Sequence, residues 1–412
     1  MKILIITPRY FPEQFSITRI AETLCFFGNE VTVLTGIPHY GYSAPLEGYN
    51  SETQQIVNGV RIIRVKEKPR LDAKNISLVK NYLSIFMQYP KALSRLKESF
   101  DIVLSHNLSP IFSMRGIKRF CEKRHIPHMH YGLDLWPESL VATSYFRKTS
   151  FLFKIMKSYC RKLYSSCDLI AFASPSTESY FHSFLNLPSI PWKQIYQPSL
   201  ISAPDMNDII NHVFKENGKL IVTYCGSIAK FHRLDLLISA LSLCANKEHV
   251  EIHIIGSGSE LLNIQKQAKD YGLSQIIFYG RVPAERTRYF LLNSDILFIP
   301  LINNSKTSLM IPQKAIEYLM YGKPILGMIS GDGREILERA SSINFFAEET
   351  PQSIAQKIDE YVIKSNDDLK NGGMQNRFFF DNEPRFQLET ICIELEYEMK
   401  KLISIRTPKN SK

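Results

Sequence analysis

Residues 294–338, SDILFIPLINNSKTSLMIPQKAIEYLMYGKPILGMISGDGREILE, decide the fold. Ile296 to Ile299 is a continuous apolar run ending at Pro300, as in a strand buried on both faces. Pro312 stands where a helix opens, because a missing N–H costs nothing there, and Gly322 closes that helix. At 3.6 residues per turn, Pro312, Ala315, Ile316, Leu319 and Met320 share one face, and Lys314, Glu317 and Tyr321 the opposite one. Ile325 to Ile329 is the next buried strand, and Gly331-Asp332-Gly333 feeds a further helix. Strands alternating with helices in this way predict a doubly wound parallel sheet, which binds ligands at the carboxyl ends of its strands. A helix start at Pro312 with Lys314 in its first turn suits a diphosphate along 312–314. Glu317, one turn further on, suits a sugar or ribose hydroxyl. A surface helix with Lys314 and Glu317 solvated fits the same pattern.

The stretch resembles the donor site of the retaining glycosyltransferases of family four, which have the GT-B fold. Their Pro-x-Lys…Glu-Tyr-x-x-x-Gly-Lys-Pro pattern stands here as Pro312, Lys314, Glu317, Tyr318, Gly322, Lys323 and Pro324. Many members carry two glutamates eight positions apart. Glu317 matches the second; the first falls at Leu309, so this chain lacks it.

Working outward, 412 residues with 44% apolar content are enough for two domains. The formal net charge of +10 is polarised: residues 1–200 hold 25 Lys+Arg against 14 Asp+Glu, while residues 201–412 are close to neutral. A basic half needs an anionic partner or is simply a soluble surface. Nucleic acid is not expected, because zinc-ligand spacings, stacking motifs and heptads are missing. An anionic membrane surface is the better partner, because residues 146–163 interleave Phe151, Phe153, Ile155, Met156 and Leu163 with Lys148, Lys154, Lys157, Arg161 and Lys162. An ordinary domain helix with a solvated basic face reads equally well. Seven scattered cysteines without a CxxC pair predict reduced thiols in a cytoplasmic protein. The opening MKILIITP reads as a strand rather than a signal peptide, and no run is long enough to span a bilayer.

The first half opens with a strand at Lys2 to Thr7, a loop to Gln14, a helix capped by Ser16 or Thr18 and stopped at Gly28-Asn29, and a strand at Val31 to Thr35. This resembles the family's opening, with Tyr10, Phe11, Pro12, Glu13 and Val31 to Gly36 matching. Arg19 can reach a phosphate or be an exposed helix arginine. Further strands are predicted at Gly59 to Val65, Asp101 to Ser105, Pro127 to Tyr131 and Asp168 to Ala173. One or two helices are predicted over 72–98, with Pro90 between them. His106 follows one strand end. Asp134, Trp136, Pro137 and Glu138 follow another, and residues 134–139 match the DLWPES of a family subgroup that includes bacterial O-antigen and colanic-acid enzymes. The resemblance makes Asp134 the residue facing the reacting sugar; capping the next helix is its structural alternative. His128 and His130 have no third ligand spaced for a metal.

Residues 186–217, rich in Pro, Asn and Asp, are read as the linker between residues 1–200 and 201–385. A strand at Leu220 to Tyr224 then leads into Gly226-Ser227, with Lys230, His232 and Arg233 ahead of a helix. The resemblance assigns Gly226, Ser227, Lys230 and Arg233 to the donor diphosphate. After the strand at Val250 to Ile255 comes Gly256. Gly280, Arg281 and Val282 resemble the segment that meets the nucleotide base. A last helix over about 386–405 is expected to return to the first domain.

The implied protein is a metal-independent, retaining transferase needing no cofactor beyond its nucleotide-sugar co-substrate. It would act at the inner face of the cytoplasmic membrane on a lipid-linked saccharide of a bacterial surface polysaccharide. Asp134 and Glu317 are its catalytic candidates. Gly226, Ser227, Lys230, Arg233, Gly256, Gly280, Arg281, Val282, Pro312, Gln313 and Lys314 would hold the donor. Arg19, His106, Trp136 and Glu138 would line the acceptor side of a cleft between the halves. A nucleotide-sugar epimerase of the same fold, or a non-catalytic nucleotide-sugar-binding scaffold, are the competing readings.

Overall fold

Parallel strands require crossover connections, and the alternating apolar runs supply fourteen strands in two sheets among the described residues. The computed structural model describes residues 1–13, 15–39, 46–49, 54–69, 75–142, 149–301 and 309–406. The chain forms two compact units, Met1–Leu200 with Arg385–Lys412, and Ile201–Pro384.

The first unit is built on β1 (Lys2–Ile6), β2 (Glu30–Thr35), β3 (Gln54–Val57), β4 (Val60–Arg64), β5 (Ile102–Asn107), β6 (His128–Gly132), β7 (Leu169–Phe172) and β8 (Trp192–Gln194). Their order is β3-β4-β2-β1-β5-β6-β7-β8, parallel except for the β3–β4 hairpin. The second unit has β9 (Leu220–Cys225), β10 (Val250–Ile255), β11 (Ile276–Gly280), β12 (Ile296–Pro300), β13 (Ile325–Met328) and β14 (Phe345–Phe346). These lie β11-β10-β9-β12-β13-β14, all parallel. In both sheets the winding reverses beside a central strand, between β1 and β5 and between β9 and β12. Such reversals splay the neighbouring loops apart and leave room for a ligand.

Local differences from the sequence reading have physical causes. Pro90 lies inside one helix, Asn75–Arg95, rather than between two. Its missing N–H frees the Phe86 carbonyl, and Arg115 Nη1 donates to that oxygen at 2.7 Å. Ser16 is not a cap: Phe15 holds the cap position, and the Ser16 hydroxyl donates to Gln197 at 3.3 Å. Part of the presumed linker is β8, whose Trp192 indole donates to Thr177 Oγ1 at 3.1 Å. Tyr321, assigned to the polar helix face, is buried. The last helix, Leu388–Arg406, packs in the first unit against helix Ser16–Phe26, with Glu396 accepting from Asn29 at 2.7 Å and Arg406 donating to Asp168 at 2.7 Å.

In the second unit Lys323 is wholly buried, and its ammonium nitrogen has no hydrogen-bond partner among the described residues. It lies 5.1 Å from the Phe214 ring centre. Burial lowers its pKa to about 7, while Asp295 pulls the other way. The folded state thus holds this proton less tightly than the unfolded chain. Below about pH 7 folding bears the whole cost of a buried charge, and the cost fades as pH rises toward the unfolded value. Lys323→Met is therefore expected to stabilise, by roughly 1–4 kcal/mol. Melting followed from about pH 6 to pH 10 should show the gain shrinking as pH rises.

Candidate functional site

The second unit places its polar groups at the β9/β12 reversal. β9 runs into Gly226 at φ 151°, and β10 into Gly256 at φ 136°. The two loops stack backbone on backbone: a Cβ on Gly256 would lie 1.8 Å from the Gly226 carbonyl oxygen, and one on Gly258 2.1 Å from that of Ile228. No side chain fits at either position. Hydrogen bonds fix the stack, from Gly226 N to Ile255 O at 2.9 Å, from Ile228 N to Ser257 O at 2.9 Å and from Gly256 N to Gly280 O at 2.7 Å.

Lys314 reaches over this stack. A Cβ on Gly226 would strike its Nζ at 2.2 Å. The same nitrogen is 3.4 Å from Tyr224 Oη and 4.7 Å from the centre of that ring. Tyr224 in turn donates to the Ser227 carbonyl at 2.5 Å. Burial lowers the Lys314 pKa, and Cys225 and Glu317 partly restore it. Helix Gln313–Leu319 is anchored to β9 by Tyr318, whose hydroxyl accepts from Cys225 N at 3.2 Å. Pro312 is its cap residue, and the helix makes only two turns, so few backbone dipoles line up behind it. The positive charge here is that of Lys314 rather than of the helix start. Gln313 and Glu317 are half-buried on the same short helix.

Other predicted donor residues are not gathered here. Arg233 takes a left-handed conformation at φ 48°, which turns its guanidinium onto Asp235 at 3.0 Å and Glu349 at 2.9 Å. Those carboxylates satisfy it, so the reading of Arg233 as a phosphate ligand is corrected. Lys230 and Arg281 are exposed, and Val282 is half-buried. The residue that does join Lys314 is His232, which the sequence reading passed over as part of a basic run. Its buried ring lies 5.8 Å from that of Tyr224. Leu309 directly follows residues 302–308, which lie outside the described ones.

In the first unit Asp134 lies in the loop after β6. Its Oδ2 accepts from Ser109 N at 2.7 Å, and its own N donates to the Asn107 carbonyl at 3.1 Å. Its hydrogen-bond partner is thus the loop after β5, not the N-terminus of helix Glu138–Ala142. Burial raises the Asp134 pKa, and the bonds from Ser109 oppose the rise. His106 is fully buried beside Gln197, Nε2 to Oε1 3.4 Å, and burial holds its pKa down at about 4, so it is neutral.

Three acceptor-side expectations are corrected. Trp136 is wholly buried among Tyr82 and Phe112, with its indole donating to Ser109 Oγ at 2.9 Å; it braces the Asp134 loop and has no surface for a ligand. Glu138 is buried against the Tyr180 hydroxyl. Arg19 donates to the Ser199 carbonyl at 2.7 Å and lines a groove with Leu388 and Glu389. Two buried arginines stand at the strand ends, Arg64 closing β4 and Arg9 after β1, the latter paired with Glu67 at 2.7 Å and lying against the His39 ring at 3.0 Å. Arg9 keeps its charge, and burial pushes the Glu67 carboxyl upward. Among the described residues no cluster of three or more His, Cys, Asp or Glu could hold a metal ion.

Comparison with known proteins fits this geometry. Residues 205–374, which lie within the second unit, match the family model for glycosyl transferases group 1. The probable glycosyltransferase WbjE of Pseudomonas aeruginosa is 22% identical over 245 residues, 55% of this chain and 58% of that protein. The match thus spans little more than half of that relative's length. Among solved structures, sucrose-phosphate synthase from Thermosynechococcus elongatus has a TM-score of 0.73 at 13% identity, covering 98% of this chain and 99% of that one. Anabaena HepE, solved with UDP and glucose, has a TM-score of 0.67 at 14% identity over 97% and 100%. WaaG, a glycosyltransferase involved in lipopolysaccharide biosynthesis, has a TM-score of 0.64 at 14% identity over 99% and 100%. The fold is that of the GT-B glycosyltransferases, two Rossmann-like units in one chain.

Proposed function

We propose that this chain transfers a sugar from a nucleotide-sugar to a hydroxyl of a lipid-linked saccharide, with retention and without a metal. The observation that carries the reading is Lys314 held over the Gly226 and Gly256 stack at the sheet reversal, inside the stretch that matches the glycosyl transferases group 1 model. The bond from the anomeric carbon to the diphosphate breaks, one to the acceptor oxygen forms, and the acceptor proton leaves. Lys314 meets the charge growing on the diphosphate with a preorganised, partly desolvated ammonium. Glu317 orients a donor hydroxyl. Asp134, its carboxyl held by Ser109, takes up the acceptor proton or meets charge at the reacting carbon. The complexes of HepE with UDP support a nucleoside diphosphate as leaving group, and WaaG supports a surface polysaccharide as product. A thermal-shift panel of nucleotide-sugars tests the donor claim, since a ligand bound only by the folded state raises its melting temperature. If no donor in the panel shifts the transition, the reading fails.

The proposal includes peripheral attachment to an anionic membrane through the first unit. Among the described residues no helix is long and apolar enough to cross a membrane. Helix Asn75–Arg95 instead presents Ile76, Val79, Leu83 and Met87, each more than half exposed, as one stripe at three- and four-residue spacing. Phe86 of that helix meets Tyr159 of helix Phe151–Tyr164 at 6.1 Å between ring centres. The second helix exposes Phe151, Leu152 and Ile155 beside Lys154, Arg161 and Lys162. Lys148, which belongs to the same basic run, lies outside the described residues. Apolar side chains rimmed by cations suit a monolayer of acidic lipid. Leu83→Asp and Phe151→Asp should each weaken sedimentation with phosphatidylglycerol vesicles by about tenfold or more. Wild-type protein indifferent to acidic lipid and to salt would end this part of the proposal.

A further inference from the structure

Resting on the donor-site reading above, we propose that His232 is a second ligand of the donor diphosphate and takes up a proton when that anion binds. The chain geometry selects it. Residues Lys230–His232 form one turn of 3-10 helix ahead of helix Leu234–Leu243. At Arg233 the backbone passes through the left-handed region, and its guanidinium swings outward to Asp235 and Glu349. The reversal leaves His232 on the inner side, beside Tyr224 and the Lys314 ammonium. Of the three cationic or titratable residues at 230–233, the one that looks least like a phosphate ligand is the one in place.

The ring is more than nine-tenths buried, and its Nδ1 has no hydrogen-bond partner among the described residues. Its other polar contact is with the Ser227 backbone. The groups facing it are Lys314 from helix Gln313–Leu319, the Tyr224 ring and hydroxyl from β9, and the Ser227 carbonyl region; the Phe231 ring lies tilted against it with centres 4.1 Å apart. No carboxylate is among them, and Glu317 and Cys225 act on the site through Lys314. Burial and the Lys314 charge hold the imidazole pKa down at about 3, so at neutral pH it is uncharged. A diphosphate beside Lys314 opposes both effects, since it gives the unpaired nitrogen an anionic acceptor and neutralises the like charge. Between the free-state and bound-state pKa values binding then takes up one proton and affinity falls by up to about tenfold per pH unit, levelling off above the bound-state pKa.

The test is calorimetric titration of the full chain with UDP-glucose, ADP-glucose and GDP-mannose at about pH 6, 7 and 8, in buffers of different ionisation enthalpy. These diphosphate diesters do not themselves titrate in that range. The expected result is close to one proton taken up per donor bound, and affinity about tenfold or more weaker at pH 8 than at pH 6. His232→Gln should bind more weakly at pH 6 with little pH dependence, and His232→Lys should bind tightly with a flat profile. The nitrogen-15 signal of the His232 ring should move toward the imidazolium position when donor is added to wild type. Uptake and slope unchanged in His232→Gln, or a ring signal that stays neutral, would overturn this proposal while leaving the donor site intact. If no donor binds wild type, or one binds wild type and Lys314→Ala alike, the donor-site reading falls and this proposal falls with it.

Discussion

Lys314→Ala is expected to lower the rate of sugar transfer by about 10²–10³. The expectation follows from geometry and charge together. The ammonium is held by the Tyr224 hydroxyl and ring over a glycine that leaves it no other neighbour in that direction. It is partly desolvated before any ligand arrives, so it needs little reorganisation when charge grows on the leaving diphosphate. Arg233→Ala is the contrast, expected to change the rate by less than about threefold, because Asp235 and Glu349 already satisfy that guanidinium. Steady-state transfer rates for both variants decide the matter. Equal losses would mean that Arg233 leaves its carboxylate partners when donor binds, and a silent Lys314→Ala would remove the mechanism.

Asp134→Asn is expected to lower transfer by roughly 10²–10⁴ with donor affinity unchanged. Asparagine keeps an oxygen for the Ser109 N–H, so the loop after β6 should hold its place and the melting temperature should barely move. What is lost is the ability to accept a proton or to carry negative charge. Because burial holds the carboxyl above its ordinary range, the wild-type rate should fall on acidification from a higher pH than a solvated aspartate would give, and the variant's residual rate should lack that limb. Donor titration and a pH–rate profile on both proteins check this. A variant that transfers at the wild-type rate would reduce Asp134 to a loop brace.

Much of the fold is legible in the chain. Apolar runs at Ile296–Ile299, Leu220–Tyr224 and Ile3–Ile6 become buried parallel strands because few other structures satisfy such backbone inside a core. The glycines at 226 and 256 read as turns and prove to be points of backbone contact, which a positive φ and the missing Cβ both require. The site is only half legible. The hexapeptide 134–139 drew attention to six residues, yet Trp136 and Glu138 turn inward and only Asp134 holds its place in the loop joining two strand ends. One-dimensional spacing cannot say which way a side chain leaves a loop.

The two doubly wound sheets, the strand ends at which their loops begin and the glycines that let those loops touch can be read along the chain, because each follows from periodicity and backbone sterics within a few residues. Which charges come together at the β9/β12 reversal is settled by folding. Arg233 is bound by carboxylates near and far, Arg19 by a carbonyl 180 residues away, and Lys314 meets His232 across Tyr224. A long side chain goes where its charge is best met, and the partners that meet it are brought close by folding rather than by neighbourhood in the chain.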